Sequence, residues 1–281
     1  MSSGFAFDKN EWALILGVSS GFGGATAREL ASHGMNILGV HFDRAATIPL
    51  AEEVRKAVEA SGVRAWFFNM NASDPKKRNE TLDEVHKELG NSPGSSVRVL
   101  LHSLAFGTLR PFASTKPEEC MTQAQLEMTM DVMANTLVYW TQGLINRGMM
   151  KKGGRIFAMT SSGGHSVLMN YGAVSAAKAA LESYARQLAL ELGPMGITAN
   201  TILAGVTDTP ALRKIPGAVK MLDVARAKNP SLRVGTPEDV ARGIALLAHE
   251  NAYFISGNVI RIDGGEDVVE YIGQKNALQL E

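Results

Sequence analysis

Short apolar runs recur along the chain, separated by stretches whose apolar positions return every three or four residues. The runs "WALILGV" (12–18), "MNILGVHF" (35–42), "VRAWFFNM" (63–70) and "VRVLLHSLA" (97–105) predict four buried strands. "GRIFAMTSS" (154–162), "ITANTIL" (197–203) and "GNVIRIDGG" (257–265) predict three more. Helical spacing fills the gaps at 21–34, 48–62, 75–90 and 236–250, and from the fifth strand to about Leu192, where "GPMG" stops it. A long helix is predicted over 118–150, entered through a capping box of Thr115 and Glu118 with Pro117 in its first turn. Residues 205–230 are rich in Thr, Pro and Lys and have a mixed pattern, as expected of a mobile substrate lid.

Strands apolar throughout, alternating with helices, imply a parallel sheet covered on both faces. The prediction is an α/β chain with a Rossmann-like, doubly wound, seven-stranded parallel sheet and helices on both faces. No linker or repeat divides it, so residues 1–281 are expected to form a single domain. In such folds ligands bind outside the carboxyl ends of the strands.

Composition narrows the function by exclusion. Lys and Arg number 28, matching 28 Asp and Glu, so the net charge of zero argues against a dedicated nucleic-acid binder. One cysteine, Cys120, excludes an internal disulfide framework and a cysteine-rich metal site. No cluster of His, Asp and Glu has metal-ligand spacing. The first ten residues hold no signal-peptide core, and no charge-free apolar stretch is long enough to span a bilayer. A cytoplasmic protein with no membrane partner is the expectation.

The chemistry begins at "GVSSGFGG" (17–24), between the first strand and the first helix. Gly17, Gly21 and Gly23 follow G-x-x-x-G-x-G, with Phe22 between the last two. Glycine lets the backbone approach a pyrophosphate, whose charge the helix N-terminus favours. Ser19 and Ser20 add hydroxyl donors. Cofactor choice is read at the end of the second strand, in "HFDR" (41–44). An acid there suits a ribose diol, a base a 2′-phosphate, and Asp43 and Arg44 stand side by side. Arg44, helped by His41 and Ser19, favours NADPH over NADH. Asn71 and Ala72, at the end of the third strand, lie where an adenine would pack.

Residues 171–178 read "YGAVSAAK". With the glycine turn, the strand-helix pattern and the closing "IRIDGG", this stretch resembles the short-chain dehydrogenase/reductase family over roughly 10–268. The Tyr-x6-Lys pair and "LLHSLAFG" (100–107) further resemble the NADPH-using enoyl-acyl-carrier-protein reductases, where the commoner spacing is Tyr-x3-Lys. At about 100° per residue, seven residues return to nearly the same helix face. Seven residues of helix also span about 10 Å, against about 6 Å for four. The wider pair moves the hydroxyl by roughly a turn, consistent with charge developing on a carbonyl oxygen two carbons from the hydride acceptor.

The resemblance implies that Lys178 holds the nicotinamide ribose and that Tyr171 stabilises the developing enolate. Ser161 falls where commoner members carry a catalytic serine; it either binds the thioester carbonyl or ends its strand. The family's structural asparagine falls at Met133, two residues from Asn135. Ser103, Leu104 and Ala105 are expected along the nicotinamide, Gly205 and Val206 at the carboxamide, and Thr209 at the pyrophosphate. His102 and His165 are read as structural. The implied activity is NADPH-dependent reduction of an enoyl thioester of acyl carrier protein or coenzyme A in fatty acid synthesis, by a homotetramer. Two alternatives remain: a β-ketoacyl or other carbonyl reductase of the same superfamily, and a non-catalytic NADP-binding scaffold or sensor.

Overall fold

The computed structural model describes residues 5–270, so the outermost residues of the expected 1–281 domain lie outside the described residues. Seven parallel strands form one sheet: β1 (Glu11–Leu16), β2 (Asn36–His41), β3 (Ala65–Asn69), β4 (Ser96–His102), β5 (Arg155–Thr160), β6 (Thr198–Ala204) and β7 (Val259–Ile262). Their order is β3-β2-β1-β4-β5-β6-β7. The order reverses between β1 and β4, which opens a crevice at their carboxyl ends.

Alternation along β1 builds the two cores. Trp12, Leu14 and Leu16 face a cluster with Leu82, Trp140 and Leu181, from α3 (Pro75–Gly90), α5 (Thr136–Asn146) and α6 (Gly172–Leu192). Ala13 and Ile15 face a second cluster with Leu30, Val54 and Ile244, from α1 (Gly21–Ser32), α2 (Ile48–Ala60) and α8 (Pro237–Ala248). Successive side chains of a strand point to opposite faces, so a strand apolar at every position is covered on both.

The single long helix expected over 118–150 is broken. A 3-10 turn at Pro117–Glu119 precedes α4 (Gln123–Met130), a π turn at Asp131–Asn135, and α5. The capping box belongs to Thr122 and Gln125, each side chain bonded to the other's backbone N–H, and not to Thr115 and Glu118. Cys120 lies between, with backbone that is extended and not helical. The segment expected to be irregular, 205–230, carries α7 (Ala218–Lys228) after a short 3-10 turn.

The expected strand at 97–105 ends at His102, because the chain turns there to lay Ser103 against Gly17. The expected strand at 257–265 ends at Ile262, before Gly264 and Gly265 take left-handed backbone (φ 67° and 87°).

Candidate active site

Gly17 sits at the switch point with φ 90°, and a Cβ there would run into the Ser103 carbonyl. A Cβ on Gly23 would run into the Gly17 carbonyl. β1, the first turn of α1 and the end of β4 therefore approach backbone to backbone. Gly21 opens α1 with φ 54°, and Thr209, after β6, lies over it with its methyl 3.6 Å from a would-be Cβ. Ser20 is the N-cap of α1 but makes no capping bond with its side chain, and the first turn holds no acid. This is a cradle for an anion: the first-turn amides of a helix, a spare hydroxyl, and no competing carboxylate in that turn. It fits the pyrophosphate of a dinucleotide.

At the end of β2 the mixed signal separates. His41 is buried and its Nδ1 lies 2.9 Å from Asp43 Oδ2, while the Asp43 N–H donates to Asn69 Oδ1 at 3.0 Å. The acid is thus turned onto its own strand ends. Arg44 is exposed and has no carboxylate partner among the described residues. Asn71 Oδ1 accepts from the Ser73 N–H and hydroxyl, and the Ala72 carbonyl accepts from Trp140 Nε1 at 2.9 Å. Leu104 is half-buried and Ala105 exposed on the strand-end loop.

Tyr171 is the N-cap of α6. Asn170 before it takes left-handed backbone (φ 64°), which asparagine tolerates, and this reverses the chain into the helix. Gly163 brings Tyr171 and Ser161 together: a Cβ on it would stand 2.5 Å from Tyr171 Cε1 and 3.1 Å from Ser161 Oγ. Burial pushes the Tyr171 phenol above its ordinary range, and the Ser161 hydroxyl pulls it partly back. The phenol is therefore a donor throughout the neutral range. Val174, the position of the commoner spacing, is buried beside Gly107 and fills the core.

Lys178 is buried, and its Nζ donates to the Met159 carbonyl at 2.6 Å. Burial pulls the ammonium down to about 8, opposed by the charge of Glu182 one turn further on. Beneath it, His102 is fully buried. Thr136 Oγ1 donates to the Val132 carbonyl (2.8 Å), so His102 Nε2–H donates to Thr136 (2.8 Å) and Nδ1 is left without a partner. Burial, then the charge of Lys178, hold this imidazole down to about 3, so it is neutral. His165 pairs with Asp267 at 3.1 Å.

Met133, at the position counted for the family's asparagine, is buried apolar filling against Gly107. Asn135, in the π turn, accepts from the Tyr184 hydroxyl at 2.9 Å. In the turn after β6, the Val206 N–H donates to Glu266 Oε1 (3.1 Å), and Gly205 is held small by the same carboxylate. Burial pushes Glu266 up. Glu266, Phe112 packed over Gly172, and the Thr160–Glu182 bond (2.7 Å) are site features that sequence reading missed. Of these only Glu182 left a signal, an acid four residues from Lys178 on one helix face.

Among the described residues no group of three or more His, Cys, Asp or Glu could hold a metal ion, and no helix is long and apolar enough to cross a membrane.

Residues 17–266 match a family model described as "Enoyl-(Acyl carrier protein) reductase". The chain is 27% identical over 259 residues to a 3-oxoacyl-[acyl-carrier-protein] reductase of Pseudomonas aeruginosa, covering 90% of this chain and 96% of the relative. It is 26% identical over 265 residues to a 1-cyclohexenylcarbonyl-CoA reductase of Streptomyces collinus, covering 93% and 89%. A short-chain dehydrogenase of Burkholderia cenocepacia in complex with NADP superposes with a TM-score of 0.76 at 26% identity, covering 92% of this chain and 98% of that one.

Proposed function

The chain belongs to the short-chain dehydrogenase/reductase superfamily, and from that premise we propose that it is an NADPH-dependent enoyl-thioester reductase. One observation carries the reading. The position that would bear the hydroxyl at the commoner spacing is core-filling Val174, and the phenol stands a turn earlier, at Tyr171. The bound nicotinamide supplies the hydride. Lys178, anchored on Met159, directs its remaining N–H groups at the ribose. Tyr171 donates to the carbonyl oxygen as charge accumulates there. Gly17, Gly21 and Gly23 admit the pyrophosphate, with Ser19, Ser20, Phe22 and Thr209 around it, and Ser103, Leu104 and Ala105 line the reduced ring.

Acyl carrier protein or coenzyme A as carrier, and a place in fatty acid synthesis, belong to this reading. So does a homotetramer, supported by the open edge of β7. Exposed Tyr253 and Phe254 precede that strand, and exposed Leu190 neighbours Ala189, which Gly257 approaches.

NADPH is favoured because Asp43 is engaged by His41 while Arg44 stands exposed. Arg44→Ala is expected to raise the NADPH dissociation constant about tenfold, the worth of one charge-assisted contact, with NADH binding unchanged. Equal effects on the two cofactors, read by fluorescence titration, would remove Arg44 from phosphate binding.

A second reading, reduction of a β-ketoacyl thioester or other carbonyl, is favoured by Ser161, which shares Gly163 with the phenol. The P. aeruginosa relative is named for that reaction. NADPH oxidation followed with crotonyl and acetoacetyl thioesters decides between them. The enoyl reading expects turnover on crotonyl substrate and far less on acetoacetyl substrate; activity on the ketone alone would sink it. NADPH binding with turnover of neither would favour a scaffold or sensor.

A further inference from the structure

Two consecutive rungs join the end of β5 to α6. The first runs from Lys178 Nζ to the Met159 carbonyl, 2.6 Å. The second runs from the Thr160 hydroxyl to Glu182 Oε1, 2.7 Å. Lys178 and Glu182 are one helical turn apart on the same face. Thr160 is buried and Glu182 half-buried, and Gly164 closes over the carboxylate, with a would-be Cβ 2.8 Å from Glu182 Oε1. A hydroxyl and a tight glycine thus hold this acid in one place, one helical turn from the buried ammonium on which its charge acts.

Among the described residues no anion other than Glu182 acts on Lys178. On β4, His102 is neutral. In the π turn, the charge of Asp131 acts on Arg78 and Tyr139. On α6, the Tyr171 phenol is neutral. His165 and Arg261 both engage Asp267, and Arg261 also feels Glu182. We infer that Glu182 is a positioning residue: aimed by Thr160, it supplies the counter-charge that keeps the buried Lys178 ammonium protonated and ready for the cofactor ribose. The inference rests on the reading of Lys178 as a cofactor ligand, and it goes beyond the Tyr171/Lys178 pair.

The sign of the effect is fixed. Burial lowers Lys178 and Glu182 opposes that. Removing the negative charge lets the ammonium deprotonate at lower pH, so cofactor affinity is lost earlier as pH rises. NADPH titrations of the full chain from about pH 6 to pH 9.5 bracket this range. Glu182→Gln, isosteric and still able to accept from Thr160, is expected to move the alkaline limb of binding down by about one pH unit. With a wild-type limb near 8, that is roughly fivefold weaker binding at pH 8. Glu182→Asp keeps the charge and restores most of the limb, which a merely structural role would not do. Thr160→Val keeps the charge but loses its aim, and moves the limb the same way by less; it carries the test if Glu182→Gln does not fold. A limb unmoved in Glu182→Gln, or moved equally by Asp and Gln, overturns the inference. The assay contains no acyl substrate, so failure to reduce enoyl thioesters sinks the functional reading alone.

Discussion

Tyr171→Phe is expected to lower kcat by about 10²–10³-fold, the usual cost of removing one donor to a developing oxyanion. The NADPH dissociation constant should stay within about twofold, less than one hydrogen bond is worth. The substitution deletes one oxygen and keeps the ring that packs over Gly163 and against the core. It leaves Asn170 and the helix entrance unchanged. The effect belongs to the transition state because the donor is needed most when the thioester oxygen carries charge. Burial keeps the phenol protonated well above neutrality, so an alkaline fall in wild-type kcat/KM for NADPH should report Lys178 in the free enzyme, near 8. That limb should keep its position in the phenylalanine variant while the plateau drops. Steady-state rates with crotonyl thioester across pH provide the check. Wild-type turnover without the hydroxyl would remove Tyr171 from the chemistry and leave Ser161 as the nearest alternative donor.

The parts of this fold that were legible in the sequence depend on near neighbours. β1 could be read because both of its faces are covered, so "WALIL" is apolar at every position. The glycine turn could be read because Gly17 and Gly21 answer a local demand for positive φ, and Gly23 a close approach to the Gly17 carbonyl six residues before it. The break in the 118–150 stretch was not legible. "QLEMTMDVMANTLVYW" is apolar at helical spacing through Asp131–Asn135, and the π turn is held by tertiary contacts. Thr136, the first residue of α5, donates to the Val132 carbonyl and meets His102 at the end of β4. The turn carries Asn135 to Tyr184 on α6 and leaves Met133 in the core.

Cofactor preference shows the same division. Asp43 and Arg44 are adjacent in sequence, and alternation alone cannot assign one of them to the ligand. The bond from His41 to Asp43 decides which charge is spent inside the protein. The His41 ring, at the end of β2, is buried against Phe67 of β3, a contact that no local pattern encodes. Glu266 on the amide of Val206 is likewise a contact across sixty residues.

Lys178→Ala is expected to be the most damaging single change, lowering kcat/KM by about 10³-fold or more through weaker NADPH binding and slower turnover together. The ammonium touches the cofactor in this reading, and its charge also favours negative charge growing on the substrate oxygen beside Tyr171. Part of the damage is structural. The Met159 carbonyl loses its buried donor, which costs about 1–3 kcal/mol. The two contributions separate in a double variant. Lys178→Met fills the space apolarly, and adding Glu182→Gln removes the carboxylate's charge, so the pair should recover part of the lost thermal stability, the unpaired Met159 carbonyl keeping the rest lost. NADPH binding and turnover should not recover, because no cation faces the ribose. Recovery of activity along with stability would mean that Lys178 serves only to hold α6 on β5. A melting curve and an NADPH titration on the same three proteins distinguish the outcomes.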